Sequence, residues 1–217
     1  MNARHNQPTR GASAAHALVG RIFVAAPLGD DVRRSLVDHL ELSLGGRPLP
    51  GRVVRPESWH LTLRFLGDTE RGVYDRMMTN LRSAPLGAPF DLVFTSLGAF
   101  PRPDHARVLW LGTGAGADAL TSLAGVVERC AVDAGLPPET RPFAAHLTLS
   151  RLRPEEDLRR LLAAVPVFDV AQHVNEVVIY RSHLERSGAR YEALERLSLG
   201  QLASRGTGPA GADTGGS

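Results

Sequence analysis

Apolar and polar positions along this chain recur in two periods. "RIFVAAPL", beginning at Arg21, is an apolar run of strand length, and "WHLTLRFLG", beginning at Trp59, alternates with period two. Between them "DDVRRSLVDHLELSL" sets Leu36, Val37 and Leu40 on one helical face, and "GRVVR" predicts a short strand before Pro56. A helical "ERGVYDRMMTNLRSA" follows. Strands "FDLVFTSLGAF" and "ARVLWLG" then flank a Pro/Asp loop, and the next helix carries Cys130. The second half predicts strand "HLTLSRL", helix "PEEDLRRLLAAV" and strand "VNEVVIYRSHLE". "GARYEALERLSL" is its hairpin partner through Ser187-Gly188. Short strands, few helices and frequent hairpins predict an α+β fold with antiparallel sheets, not a doubly wound parallel one.

The ends of the chain lack this patterning. Residues 1–20 show no sustained period, and residues 203–217 form a Gly/Ala/Ser/Thr tail that cannot bury a core. Both are expected to be disordered, with one ordered domain at residues 21–202.

Within that domain one pattern occurs twice. In "RPESWHLTLRFLG" and "RPFAAHLTLSRL" a proline stands four residues before a histidine, and Leu, Thr, Leu and Leu follow in the same register. Alternation turns His60 and Thr62 one way and Leu61 and Leu63 the other, and likewise His146 and Thr148 against Leu147 and Leu149. Each copy thus buries two leucines and presents an imidazole and a hydroxyl. If the copies arose by duplication, an approximate twofold axis brings the two polar faces together across a cleft.

Composition narrows the chemistry. Of 217 residues 43% are hydrophobic and 22% charged, a globular balance. The net charge is only +2, which admits an anionic substrate but is short of a dedicated nucleic-acid binder. All 25 basic residues are arginine, so any phosphate clamp must be a guanidinium. The single cysteine, Cys130, excludes an internal disulfide and a multi-cysteine zinc site, and its helical setting predicts a buried thiol. "TGAGAD" has neither a P-loop lysine nor dinucleotide spacing. With no long apolar run and no secretory signal, a cytoplasmic protein without a membrane partner is expected.

Two imidazoles that titrate near neutrality can serve as acid and base, while two hydroxyls donate to the non-bridging oxygens of a phosphate. No carboxylate stands at ligand spacing beside either histidine, so attack on a phosphodiester without metal or cofactor is the expected reaction. Arg64, in phase with His60 and Thr62, is a candidate phosphate contact. A nucleotide-binding module that uses the same cleft without turnover is the alternative.

These segments resemble the 2H phosphoesterase superfamily, named for its two His-x-Thr-x motifs. More narrowly they resemble the RNA 2′,3′-cyclic phosphodiesterases, also called 2′-5′ RNA ligases. The resemblance runs from Arg21 to Leu199. It implies two pseudo-symmetric lobes, each an antiparallel sheet backed by helices, with the active site between them. It also implies hydrolysis of RNA or nucleoside 2′,3′-cyclic phosphates to 2′-phosphomonoesters, with His60 as proton donor and His146 as acceptor, and reversible 2′-5′ ligation by the same chemistry. The expected partners are RNA ends or nucleotides bearing the cyclic phosphate, met by a monomer. Arg151 matches a family arginine near the phosphate, but simple alternation puts it on the leucine face, so the strand must end or twist by Ser150. Phe23, in the family-like "RIF", packs the sheet or lies against a base.

Overall fold

The structure, a computed structural model, describes residues 16–185 and 188–200. Both expected tails fall almost wholly outside that range, as does the hairpin residue Ser187. The first strand begins at Leu18, three residues before the expected boundary.

Among the described residues nine strands and four α-helices follow in chain order. They are β1 (Leu18–Pro27), α1 (Asp30–Leu44), β2 (Arg52–Val53), β3 (His60–Glu70), α2 (Arg71–Ser83), β4 (Phe90–Phe100), β5 (Ala106–Thr113), α3 (Ala117–Asp133), β6 (His146–Glu156), α4 (Arg159–Ala164), β7 (Val170–Val174), β8 (Glu176–Glu185) and β9 (Gly188–Ser198). Every pairing is antiparallel, in the order β7-β4-β5-β6-β3-β1-β8-β9, with β2 added to β6. The α+β reading and its division into two antiparallel halves therefore hold.

The order of that sheet has a simple origin. Each half of the chain reads strand, helix, motif strand, helix, strand: β1-α1-β3-α2-β4, then β5-α3-β6-α4-β8, with β7 inserted before the last. The first two strands of each half pair with one another, but the third crosses over. β4 pairs with β5, and β8 pairs with β1. Each repeat thus completes the other's lobe.

The motif strands β3 and β6 meet at the centre through one register pair, Leu61 opposite Leu147. Both leucines are buried, at 1% and 0% exposure, in a core that runs under both lobes through Leu63, Leu109, Leu111 and Leu149. Helix α3 covers this face, packing on β3, β4 and α2. Its first turn depends on Gly116, at φ +82°, where a Cβ would stand 2.1 Å from the Asp91 carbonyl oxygen. The Gly-rich stretch thus serves close backbone packing. Cys130 lies buried on the same helix, and burial pushes its thiol pKa up, as a structural thiol requires.

Two elements differ from expectation. The helix predicted over residues 154–165 begins only at Arg159, because β6 continues to Glu156, opposite Ala106, and Glu155 is tied to Arg107. Val170–Val174 is a strand of its own, held by β4, with Gln172 buried and its side chain accepting from the Gly29 amide at 3.0 Å. No α-helix among the described residues is long and apolar enough to cross a membrane.

The leucine pair makes a thermodynamic prediction. Leu61→Ala and Leu147→Ala should each cost about 2–5 kcal/mol in urea unfolding. A double-mutant cycle should return a coupling of about 0.5–3 kcal/mol. Strict additivity would mean that the two lobes are held together elsewhere.

Candidate active site

Directly opposed residues in an antiparallel pair share a face. Counting outward from Leu61 and Leu147 therefore sets His60 beside Thr148 and Thr62 beside His146, all four half-buried on the face away from the helices. The four residues of the repeated pattern come together as expected.

The two imidazoles are held alike. His60 Nδ1 lies 2.8 Å from the Ser58 carbonyl oxygen, and His146 Nδ1 lies 2.7 Å from that of Ala144. Each Nδ1–H donates to a carbonyl two residues back, which leaves Nε2 as the free nitrogen in the neutral ring. Before His60 the chain makes a single 3₁₀ turn, Pro56–Ser58. Trp59 anchors it, 4% exposed, its Nε1–H donating to the Val54 carbonyl at 2.9 Å.

Aromatic rings from neighbouring strands cradle each histidine. Phe23 lies 4.8 Å from the His60 ring and stacks on Tyr180 at 5.2 Å, while Tyr191 meets His60 edge-on at 5.1 Å. Across the seam, Phe100 meets His146 edge-on at 5.1 Å and packs against Trp110 at 5.0 Å. The Trp110 indole lies flat over Gly98, where a Cβ would stand only 2.2 Å from the ring. Phe23, one of the sequence candidates, is 2% exposed and packs beneath His60. Tyr180, Tyr191, Phe100 and Trp110 were not legible as site residues, since their strands read only as sheet. The one signal was their phase on those strands, which needs the register to interpret.

Burial in this setting lowers both histidines. His60 falls to about 4, through desolvation first and then the nearby Arg151 and His146, against the favourable Ser58 bond. His146 is lowered by desolvation and by Arg151, against the bond to Ala144.

The two arginine candidates exchange places relative to simple alternation. One extra residue sits in β3 at Leu63, since Ala25 pairs with Thr62 but Val24 with Arg64. The same bulge recurs in β6 at Leu149, since Trp110 pairs with Thr148 but Leu109 with Ser150. A bulge shifts the faces of all that follow. Arg64 is therefore not in phase with His60. It turns to the helix side, 10% exposed, with Nε 2.6 Å from Glu128 and Nη1 3.3 Å from Glu139, and donates to the Pro137 carbonyl. Arg151 instead comes round to the histidine face, opposite Val108, by the twist its expected role demanded. The residue equivalent to Arg151 in the first motif is Phe65, which pairs with Phe23 and is 57% exposed.

The twofold repetition also appears in comparison with known proteins. The model for LigT-like phosphoesterases matches twice, over residues 35–110 and 111–191, each match holding one His-x-Thr strand. The chain belongs to the LigT-like phosphoesterase family. Two curated members carry the name RNA 2′,3′-cyclic phosphodiesterase. The one from Aeropyrum pernix is 33% identical over 160 residues, 72% of this chain and 90% of that protein. The one from Escherichia coli is 29% identical over 181 residues, 83% and 97% of the two chains. The E. coli LigT crystal structure complexed with 3′-AMP superposes at a TM-score of 0.70 and 28% identity, covering 84% of this chain and 99% of that one.

Among the described residues of this LigT-like protein, no three His, Cys, Asp or Glu side chains gather as a metal site would need. The depressed histidine makes a separate prediction about stability. The unfolded chain binds a proton at His60 near pH 6.5, while the folded one resists until about 4, so stability is lost as pH falls through that window. The share from His60 should reach about 3 kcal/mol in urea unfolding. His60→Asn should flatten the profile by that share, and parallel profiles would show that the ring is not buried neutral.

Proposed function

We propose that this protein hydrolyses RNA or nucleoside 2′,3′-cyclic phosphates to 2′-phosphomonoesters by metal-independent acid–base catalysis, in the cytoplasm and as a monomer. The observation that carries the reading is the pair of His-x-Thr strands joined at Leu61 and Leu147, which puts two free Nε2 atoms and two hydroxyls on one face. The names of the curated relatives support the substrate class.

In this reading the cyclic phosphate lies between the motifs. The Thr62 and Thr148 hydroxyls donate to its non-bridging oxygens, and the Arg151 guanidinium opposes its charge. His146 Nε2 takes a proton from water as the water oxygen bonds to phosphorus. The bond from phosphorus to the 3′-oxygen breaks, and His60 Nε2–H delivers its proton to that oxygen. The product keeps the 2′-ester. Proton exchange with solvent then resets the two rings. A ribose 5′-hydroxyl in place of water follows the same steps in the same direction, losing its proton to His146 as its oxygen bonds to phosphorus, and gives 2′-5′ ligation.

Burial depresses both rings, and the bound phosphate charge restores a proton to one of them. The reverse assignment, with His146 as acid, has one observation in its favour: burial and Arg151 lower His60 to about 4, so His146 is the more readily protonated ring. The product isomer tests both polarity and substrate orientation.

Cytidine 2′,3′-cyclic phosphate with EDTA is the direct assay. Turnover should persist and give the 2′-phosphate, whereas loss in EDTA with rescue by Mn²⁺ or Zn²⁺ would overturn the two-histidine mechanism. His60→Asn and His146→Asn should each lose about 10²–10⁴ in rate, and Thr62→Ala and Thr148→Ala about 10²–10³, with far-UV spectra retained. Since kcat/KM reports the free enzyme, its bell should peak below pH 6.5, and kcat should peak at a higher pH. Near-normal rates for both histidine variants would exclude the pair.

A further inference from the structure

The cleft has unlike ends. Beyond Thr148, at the His60 end, β2 joins β6 with Arg52 directly opposite Arg151. Opposed residues share a face, so both exposed arginines are set on the histidine face, and Arg52 Nη2 lies 3.6 Å from where a Cβ on Gly188 would stand. At the other end, beyond Thr62, the equivalent of Arg151 is the exposed ring of Phe65.

Like charges directly opposed across two strands destabilise a sheet. Many of the described arginines have carboxylate partners, as Arg64, Arg82, Arg107, Arg159 and Arg196 do with glutamates or aspartates. Neither Arg52 nor Arg151 has a carboxylate partner among the described residues. The backbone nevertheless enforces their meeting. Gly51, at φ +74°, brings β2 so close to β6 that a Cβ there would stand 2.6 Å from the Arg151 carbonyl oxygen. Arg151 also lines a groove of about 530 Å³ with Arg153, itself without a carboxylate partner among the described residues, while the one acid of that groove, Glu155, is engaged by Arg107.

From this we infer that Arg52, next to the Arg151 that opposes the cyclic phosphate, forms a second anion subsite, which holds the phosphate on the 5′ side of the nucleotide being hydrolysed. The inference rests on the hydrolase reading for its direction. His60 meets the leaving 3′-oxygen, so the ribose bearing it lies toward the His60 end, and its 5′ substituent lies toward Arg52. A planar guanidinium fork suits a phosphate with several acceptor oxygens. The substrate class that exploits the subsite is a polynucleotide end or a 5′-phosphorylated nucleotide, in preference to a bare cyclic nucleoside phosphate.

Three substrates separate these cases: cytidine 2′,3′-cyclic phosphate, its 5′-phosphorylated form, and a dinucleotide ending in the same cyclic residue. The wild type should prefer both phosphate-bearing forms in kcat/KM. Arg52→Ala should lower that preference on the order of tenfold, as expected for one charge-assisted bond. Its log(kcat/KM) for the dinucleotide should lose about 0.7 of slope against log salt. Arg129→Ala, which removes the same charge from the helix face, should leave the preference intact. Preference for the dinucleotide alone would identify a chain phosphodiester, and equal preference for both a terminal phosphate. Equal kcat/KM for all three substrates, or a preference that survives Arg52→Ala, would overturn the subsite. Failure to turn over any of them would overturn the hydrolase reading instead. Titration of the dinucleotide 2′-phosphate product into wild type and Arg52→Ala still reads the subsite in that case, with equal affinities counting against it.

Discussion

One backbone register, Leu61 against Leu147, decides where everything else in the cleft stands. Because side chains alternate, this pair simultaneously seals the core beneath both lobes and lays four polar groups above it. A slip of one residue would bury the histidines and expose the leucines. The apolar core, not the polar site, holds the geometry of the cleft, since a buried leucine on the wrong face costs more than any hydrogen bond in the cleft gains.

The aromatic cradles add a second constraint. Rings from β1, β5, β4, β8 and β9 dry the two imidazoles, while the Nδ1–H bonds to Ser58 and Ala144 fix which nitrogen is free. Desolvation lowers both histidines. In the proposed reaction the cleft acquires its acid together with its substrate, and an arginine supplies standing positive charge.

Much of this was legible in the residues. Helix α1 was read to its ends, because its apolar spacing and the acidic first turn are local signals. The four motif residues were legible because repetition and alternation coincide. What escaped was set by non-local structure. The bulges at Leu63 and Leu149 follow from how β1 and β5 pair, and each inverts the face of the arginine that follows it. Arg64 found partners 64 and 75 positions away, at Glu128 and Glu139, which no window of sequence relates to it. Strand β7 and the extension of β6 exist because β4 and β5 offer them an edge, and their own propensities are weak.

The crossing of the third strands bears on where such a molecule comes from. A single repeat holds one motif histidine, one motif threonine and a strand, β4 or β8, that belongs beside another repeat's first strand. Alone it would leave an open edge and half a reaction centre. Two separate copies trading that strand would close the sheet and bring the imidazoles face to face. The architecture is that of two strand-swapped copies joined end to end. Copies joined in one chain need not be alike, and one carries Arg151 where the other carries Phe65.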